Sequence, residues 1–217
     1  MTFTSLCDRV FIHFRRRRMQ RFISLFRHFS KLRVLDIGGT SQTWTSESKG
    51  CEQFSVTLIN LRSNRPPEEN HFALIQGDAT SLPFADDAFD LAFSNSVIEH
   101  VGTWDQQQAF AREARRVAPR LWIQTPARSF PLEAHLLAPY IQYLPKRFQH
   151  RIVRWTPRGL LQPDVVHEIV EEVRLLTHGE MKYLFPDCFI LKERVLGITK
   201  SYIAVRGAAA SPLSGGI

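Results

Sequence analysis

The sequence predicts an α/β fold built on a mostly parallel sheet that ends in an antiparallel hairpin. Three observations predict it. Short apolar runs at 33–37, 55–60, 71–76, 89–94 and 121–125 alternate with loops or helical stretches, the order expected of parallel strands joined by crossovers. The first run, Val34-Leu35-Asp36-Ile37, ends on Gly38-Gly39, a turn where backbone can approach a ligand closely. Two runs near the C-terminus, 189–196 and 201–205, are joined by a short turn around Gly197, which requires antiparallel pairing.

The elements follow in order. Ser5 with Asp8 marks a helix start, and apolar residues at Leu6, Val10, Phe14, Met19, Phe22, Phe26 and Phe29 describe an amphipathic helical cap over residues 1–30, as one helix or two. Residues 31–206 form the main domain. Thr103 with Gln106 makes a capping box for a helix that Pro119 stops, and Thr177 with Glu180 opens another. Residues 127–174 break the alternation, because Pro131, Pro139, Pro145, Pro157 and Pro163 cut them into short pieces. This segment is expected to be an inserted substrate lid over the carboxyl edge of the sheet. Phe148, Ile152 and Trp155 stand at i, i+4 and i+7 on one helical face, expected to rest on the acceptor pocket, with Lys146, Arg147, Arg151 and Arg154 in water. Small and polar residues 207–217 read as a disordered tail.

Composition bounds the function. A chain of 217 residues with 44% hydrophobic content can bury one sizeable core. The cysteines Cys7, Cys51 and Cys188 form no C-x-x-C pair, which argues against a disulfide framework or a zinc knuckle and for a cytoplasmic setting. No apolar run approaches the roughly 20 residues of a membrane-spanning helix. The net charge of +7 is concentrated in Arg15–Arg18, Arg21 and Arg27 and in Lys146–Arg158. It raises nucleic acid, an anionic membrane surface or an acidic substrate as partners. Four consecutive arginines cannot share one helix face, so part of that run reads as solvated surface.

In open α/β sheets, ligands bind beyond the carboxyl ends of the strands where strand order reverses. Three strand ends carry suitable groups. Asp36 with Gly38 and Gly39 can meet the ammonium of an amino-acid ligand, directly or through water. Asn60 can exchange hydrogen bonds with hydroxyls. Asp78, before Ala79, can accept from an adenine amino group. Each is weak alone, and each is also an ordinary strand-ending turn residue. A nicotinamide site would require G-x-G-x-x-G, which the sequence lacks.

The stretch from Gly77-Asp78-Ala79 through Leu82-Pro83-Phe84, Phe89-Asp90 and Ser94-Asn95 to Glu99-His100 resembles the type 11 family of class I methyltransferases. The resemblance covers residues 31–126 strongly and the closing hairpin more weakly. It implies a Rossmann-like, seven-stranded sheet with helices on both faces and S-adenosyl-L-methionine across the strand ends. Asp36, Gly38 and Gly39 match the positions facing its methionine moiety, Asn60 the ribose position, Asp78 and Ala79 the adenine position, and Ser94 lies beside the cofactor. The sequence departs from the family at Thr40, where a further glycine is common, and at Asn60, where an acid is usual.

Methyl transfer requires alignment, desolvation and in some cases a base. His100 and the pair Glu133/His135 are the candidate catalytic residues, because imidazole takes up protons near neutrality and a carboxylate can orient it. The same groups could hold a divalent cation; the base is the reading adopted, with no metal. The expected function is methyl transfer to a small-molecule acceptor, foremost a hydroxyl, with N- or C-methylation, RNA methylation and a non-catalytic cofactor-binding relative as alternatives. Ser94-Asn95-Ser96-Val97 lacks the Asn/Asp-Pro-Pro-aromatic pattern of enzymes acting on base amines, which argues against nucleic acid. A peripheral membrane contact through the basic helices stays open.

Overall fold

The computed structural model describes residues 3–45, 50–61, 72–133, 135–161 and 163–208. The chain opens with a helix α1, Phe3–Phe26, then runs through β1 (Leu32–Ile37), α2 (Ser41–Thr45), β2 (Phe54–Asn60), β3 (Ala73–Gln76) and β4 (Leu91–Asn95). Next come α3 (Trp104–Val117) and β5 (Arg120–Pro126). The insertion holds β6 (Leu132–Glu133), β7 (Ala138–Pro139), α4 (Lys146–Ile152), α5 (Pro157–Leu161) and α6 (Pro163–Glu172). Helix α7 (His178–Leu184) and the hairpin β8 (Phe189–Val195) and β9 (Ile198–Arg206) complete it.

Seven strands form one sheet in the order β3-β2-β1-β4-β5-β9-β8. Strands β1 to β5 are parallel and β9 is antiparallel to both β5 and β8. The expected fold class is therefore present. Strand order reverses between β1 and β4, so the ligand-binding crevice of such a sheet lies beyond Ile37 and Asn95. The hairpin turns at Leu196 and Gly197, whose φ values of 50° and 81° lie in the left-handed region. Both capping boxes form, Thr103 with Gln106 and Thr177 with Glu180.

Strand residues alternate between two cores. Leu35, Ile37, Ala92, Leu121 and Ile123 face α3 and α7, where Phe110, Ala114 and Met181 are buried. Val34, Leu58, Phe93, Trp122 and Ile203 face α1. Phe22 of α1 is fully buried there, its ring 5.0–5.9 Å from those of Phe26, Trp44, Phe54, Phe93 and Trp122. The N-terminal cap is thus one continuous helix forming a whole layer of the domain.

Part of the arginine run is solvated surface, as expected, and one other expectation needs correction. Arg15, Arg16 and Arg17 are exposed, but Arg18 is 5% exposed, turned into the sheet one helical step from its solvated neighbours. Phe148, Ile152 and Trp155 do not rest on the enzyme, being 43%, 41% and 70% exposed. Helix α4 stops at Ile152 and a 3₁₀ turn over Val153–Trp155 shifts the phase, so Val153 takes the buried place among Leu136, Ile141, Val166 and Val170. The guanidinium groups of Arg147 and Arg154 lie over the Phe148 and Trp155 rings. Residues 209–217 of the expected tail lie outside the described residues.

Phe22→Ala is expected to cost about 3–5 kcal/mol of unfolding free energy, the usual range for a buried aromatic, whereas Trp155→Ala changes it by less than about 0.5 kcal/mol. Urea denaturation of both variants checks this; equal losses would mean that α1 is not a core element.

Candidate active site

The glycine turn after β1 is shaped by Asp36. Its side chain is fully buried, and Trp44 Nε1 donates to Oδ2 at 2.7 Å. A Cβ on Gly39 would stand 1.9 Å from that same oxygen, so only glycine fits. Gly38 has φ +75°, and a Cβ there would meet the Val97 side chain at 2.6 Å. The second carboxylate oxygen, Oδ1, is buried and has no hydrogen-bond partner among the described residues. Burial pushes the carboxyl up to about 7, against the opposing pull of the Trp44 hydrogen bond.

Asn60 stands at the end of β2 beside this turn, where its Nδ2 donates to the Gly39 carbonyl at 2.9 Å. An aspartate here would set a carboxylate against that carbonyl, which gives the departure from the usual acid a local reason. Asp78 is exposed at the β3 edge, its Oδ1 accepting from Thr80 N and Thr80 Oγ1 at 2.8 Å each. Ala79 follows, half-buried. Ser94 does not face the crevice. It is fully buried and donates to the Ile37 carbonyl at 3.0 Å, tying β4 to β1.

The candidate catalytic residues, 35 positions apart in sequence, meet in space: His100 Nε2 and His135 Nε2 are 3.1 Å apart. His100 ends a 3₁₀ turn after β4. His135 follows β6, with Nδ1 2.6 Å from Glu133 Oε1, while Glu133 Oε2 accepts from Leu136 N at 2.6 Å. Burial works against charge on His135, but the Glu133 carboxylate outweighs it and raises the imidazole above its ordinary value. Desolvation and the neighbouring His135 push His100 down to about 4, so it is neutral.

Glu99, directly before His100, is a further polar group of the site that the sequence does not single out. It is fully buried, its Oε2 accepts from Thr125 Oγ1 at 2.9 Å, and Oε1 has no partner among the described residues. Burial pushes it up to about 6. Glu99, His100 and His135 each offer one atom within 4.8 Å of the others, close enough to share a divalent cation.

Two cavities open along this edge. One, of about 310 Å³, lies between α1 and the glycine turn and is lined by Thr40, Gln42, Thr43 and Asn95. The other, of about 360 Å³, lies over β5 and β9 between α1 and the insertion, with Phe130, Leu132 and His135 on its wall. Arg18 borders both. Its guanidinium donates to Asn95, to Gln124 at 2.8 Å and to Glu193 at 2.9 Å.

Residues 35–120 match the family model described as a methyltransferase domain. That stretch is similar to a methyltransferase domain. Solved structures agree in fold. An S-adenosylmethionine-dependent methyltransferase from Archaeoglobus fulgidus aligns with TM-score 0.57 at 14% identity, over 88% of this chain and 92% of that one. Magnesium protoporphyrin IX methyltransferase from Synechocystis PCC 6803, with S-adenosylhomocysteine bound, aligns with TM-score 0.57 at 12% identity, over 95% and 89%. The 1,6-didemethyltoxoflavin-N1-methyltransferase of Burkholderia thailandensis aligns with TM-score 0.53 at 16% identity, over 87% and 77%. No curated protein sequence matches the chain. A methyltransferase domain of this fold takes S-adenosylmethionine as its methyl donor, and the residues fit that cofactor: the orphaned Asp36 oxygen lies beside glycine backbone, in line with Asn60 and Asp78 along the strand ends.

Asp36 gives the domain a pH signature. Its folded value lies above its unfolded one, so the stability tied to its proton is present at acid pH and lost as pH rises through about 7. Between pH 5 and 8 the ligand-free wild type is expected to lose melting temperature that Asp36→Asn keeps. Thermal scans across that range check it; parallel curves would remove the buried carboxyl from this account.

Proposed function

We propose that this methyltransferase moves the methyl group of S-adenosylmethionine onto a hydroxyl of a small-molecule acceptor, with His135 as general base. The observation that carries this reading is the Glu133–His135 pair on the wall of the larger cavity, at 2.6 Å. An alcohol or phenol must lose its proton as its oxygen attacks, and an imidazole poised by a carboxylate removes it. S-adenosylmethionine supplies, when bound, an electrophilic sulfonium methyl. Everything else falls to the chain. Glu133 fixes the tautomer with the proton on His135 Nδ1, which leaves Nε2 as the basic atom. In the free protein His100, neutral, donates to that nitrogen; an acceptor hydroxyl takes its place. The proton gained stays on Nε2, and the positive charge it brings is offset by the Glu133 carboxylate at Nδ1 and by buried Glu99. The insertion closes this side of the cavity through Phe130, Leu132 and Arg158, in the manner of a substrate lid. Neighbouring structures carry small molecules such as 1,6-didemethyltoxoflavin and D-fucose, which favours a small acceptor.

S-adenosylhomocysteine is expected to bind and raise the melting temperature, and Asp36→Ala to abolish that shift. His135→Ala should lower turnover by about 10²–10⁴-fold while leaving S-adenosylhomocysteine affinity unchanged. The base works only when unprotonated, so activity falls below its raised value; Glu133→Gln lowers that value and should move the acid limb to lower pH. EDTA should have no effect. Loss of activity in EDTA with recovery in magnesium or manganese would replace the base by a cation on Glu99, His100 and His135.

The exposed stripe on α4 suits the peripheral membrane contact. Phe148, Ile152 and Trp155 run beside Arg147, Arg151 and Arg154, one position apart along the chain. Aromatic residues stacked with arginines fit an anionic interface. No described helix is long and apolar enough to cross a membrane. Salt-sensitive co-sedimentation with phosphatidylserine vesicles, lost in Arg147→Gln/Arg151→Gln, is the expected result; a protein remaining in the supernatant would dismiss the contact.

A further inference from the structure

The wall of the larger cavity is strongly cationic. Arg15, Arg18, Arg158 and Lys200 all line it, together with His135, and among the described residues no aspartate or glutamate does. Glu133 stands behind His135 and is bonded to it, and on the side of Arg18 and Lys200 the carboxylate is Glu193, fully buried behind the wall. That one carboxylate already serves three groups: the Arg18 guanidinium at 2.9 Å, Lys200 Nζ at 3.5 Å and the Ser201 hydroxyl. Four cations therefore line a partly desolvated cleft whose neighbouring carboxylates, Glu193 and Glu133, are already engaged.

The arrangement is organised for an incoming anion. Arg18 is locked by Asn95, Gln124 and Glu193, so it sets a fixed positive field at the cavity floor. Arg158 commits its Nε to the His135 carbonyl at 3.3 Å. No hydrogen bond among the described residues occupies its terminal NH₂ groups, the fork that pairs with a carboxylate or phosphate. Lys200 lies over the Phe14 ring at 4.3 Å, which places its ammonium at the mouth next to α1. Burial, first, and then Arg18 and Arg15 depress Lys200 to about 8, despite the opposing pull of Glu193. Like charges held together without water are costly unless an anion joins them. Leu132, Phe130 and Leu175 supply apolar wall between the cations and His135.

We propose that the acceptor is an organic anion: its carboxylate or phosphate is held by Lys200 and Arg158 over the Arg18 field, and this sets its hydroxyl against His135. The proposal rests on the reading of this cavity as the acceptor side of a methyltransferase. An anchor and a base on the wall of one apolar-lined cavity would select both the acceptor and the hydroxyl on it.

The test is calorimetric titration of the full chain saturated with S-adenosylhomocysteine, using three matched probes: 4-hydroxybenzoate, 4-hydroxyphenyl phosphate and neutral 4-hydroxybenzyl alcohol. The expected result is at least about tenfold tighter binding of one or both anions than of the alcohol, since a desolvated charge-assisted pair contributes that much or more. The stronger of the two anions names the group. Lys200→Gln and Arg158→Gln should each weaken the anion about tenfold and leave the alcohol unchanged. Three results would overturn the proposal: anions no tighter than the alcohol, anion affinity unmoved by both variants, or anions that compete with S-adenosylhomocysteine, which would give the basic wall to the donor's own carboxylate. Titration of S-adenosylhomocysteine alone separates these from failure of the methyltransferase reading, which predicts that binding whatever the acceptor.

Discussion

Arg18 reaches from α1 into the carboxyl edge of the sheet and joins parts of the chain that share no backbone pairing with that helix. Its guanidinium bridges Asn95 at the end of β4, Gln124 in β5 and Glu193 in β8. A buried guanidinium is costly to desolvate, so the pairing contributes fixed geometry more than stability. Removing either partner would strand the other charge in the interior. The rest of the site follows from this contact. It seats α1 across the strand ends, divides the edge into two cavities, and places cationic charge where both meet.

The chemistry at the edge depends on charges kept out of water. Asp36 and Glu99 are buried carboxyl groups, each with one oxygen that has no partner among the described residues. A buried group that is only half satisfied is a reservoir of free energy that a ligand or a proton can release. Asp36 holds the glycine turn open to backbone approach, and Glu99 sits behind the two histidines. Glu133 and His135 complete the sequence of groups from the interior to the cavity. Each carboxylate has a different neighbour, and this separates their tasks: one shapes the turn, one biases the imidazole, and one orients it.

Much of the architecture was legible. The strands announced themselves as apolar runs bounded by glycine, asparagine or proline, because a strand buried on both faces needs little else. The capping boxes were readable since both partners lie within four residues. The boundaries of β4 were less so: Phe89 and Asp90 look like strand but bond to Val117 and Arg33 at its entry. Arg18 hid inside a run of four arginines, where composition gives each the same prior and only the helix's docking angle decides which turns inward. The stripe Phe148, Ile152 and Trp155 misled because periodicity locates an apolar face without saying what it meets. Ser94 was placed beside the cofactor by its position in the motif, although its hydroxyl completes a bond between strands.

By itself the sequence determined the order of elements, the antiparallel close of the sheet, the glycine turn after Asp36 and the identity of the two histidines. These depend on local pattern and on residue chemistry, which translate directly from one dimension. Tertiary structure alone decided that His100 and His135 face each other at 3.1 Å across 35 residues. It alone gathered Arg15, Arg18, Arg158 and Lys200 around one cavity. Burial, and with it the protonation of Asp36 and Glu99, also belongs to the folded chain. Desolvation is a property of everything packed around a group, and a sequence carries that information only through the fold it produces.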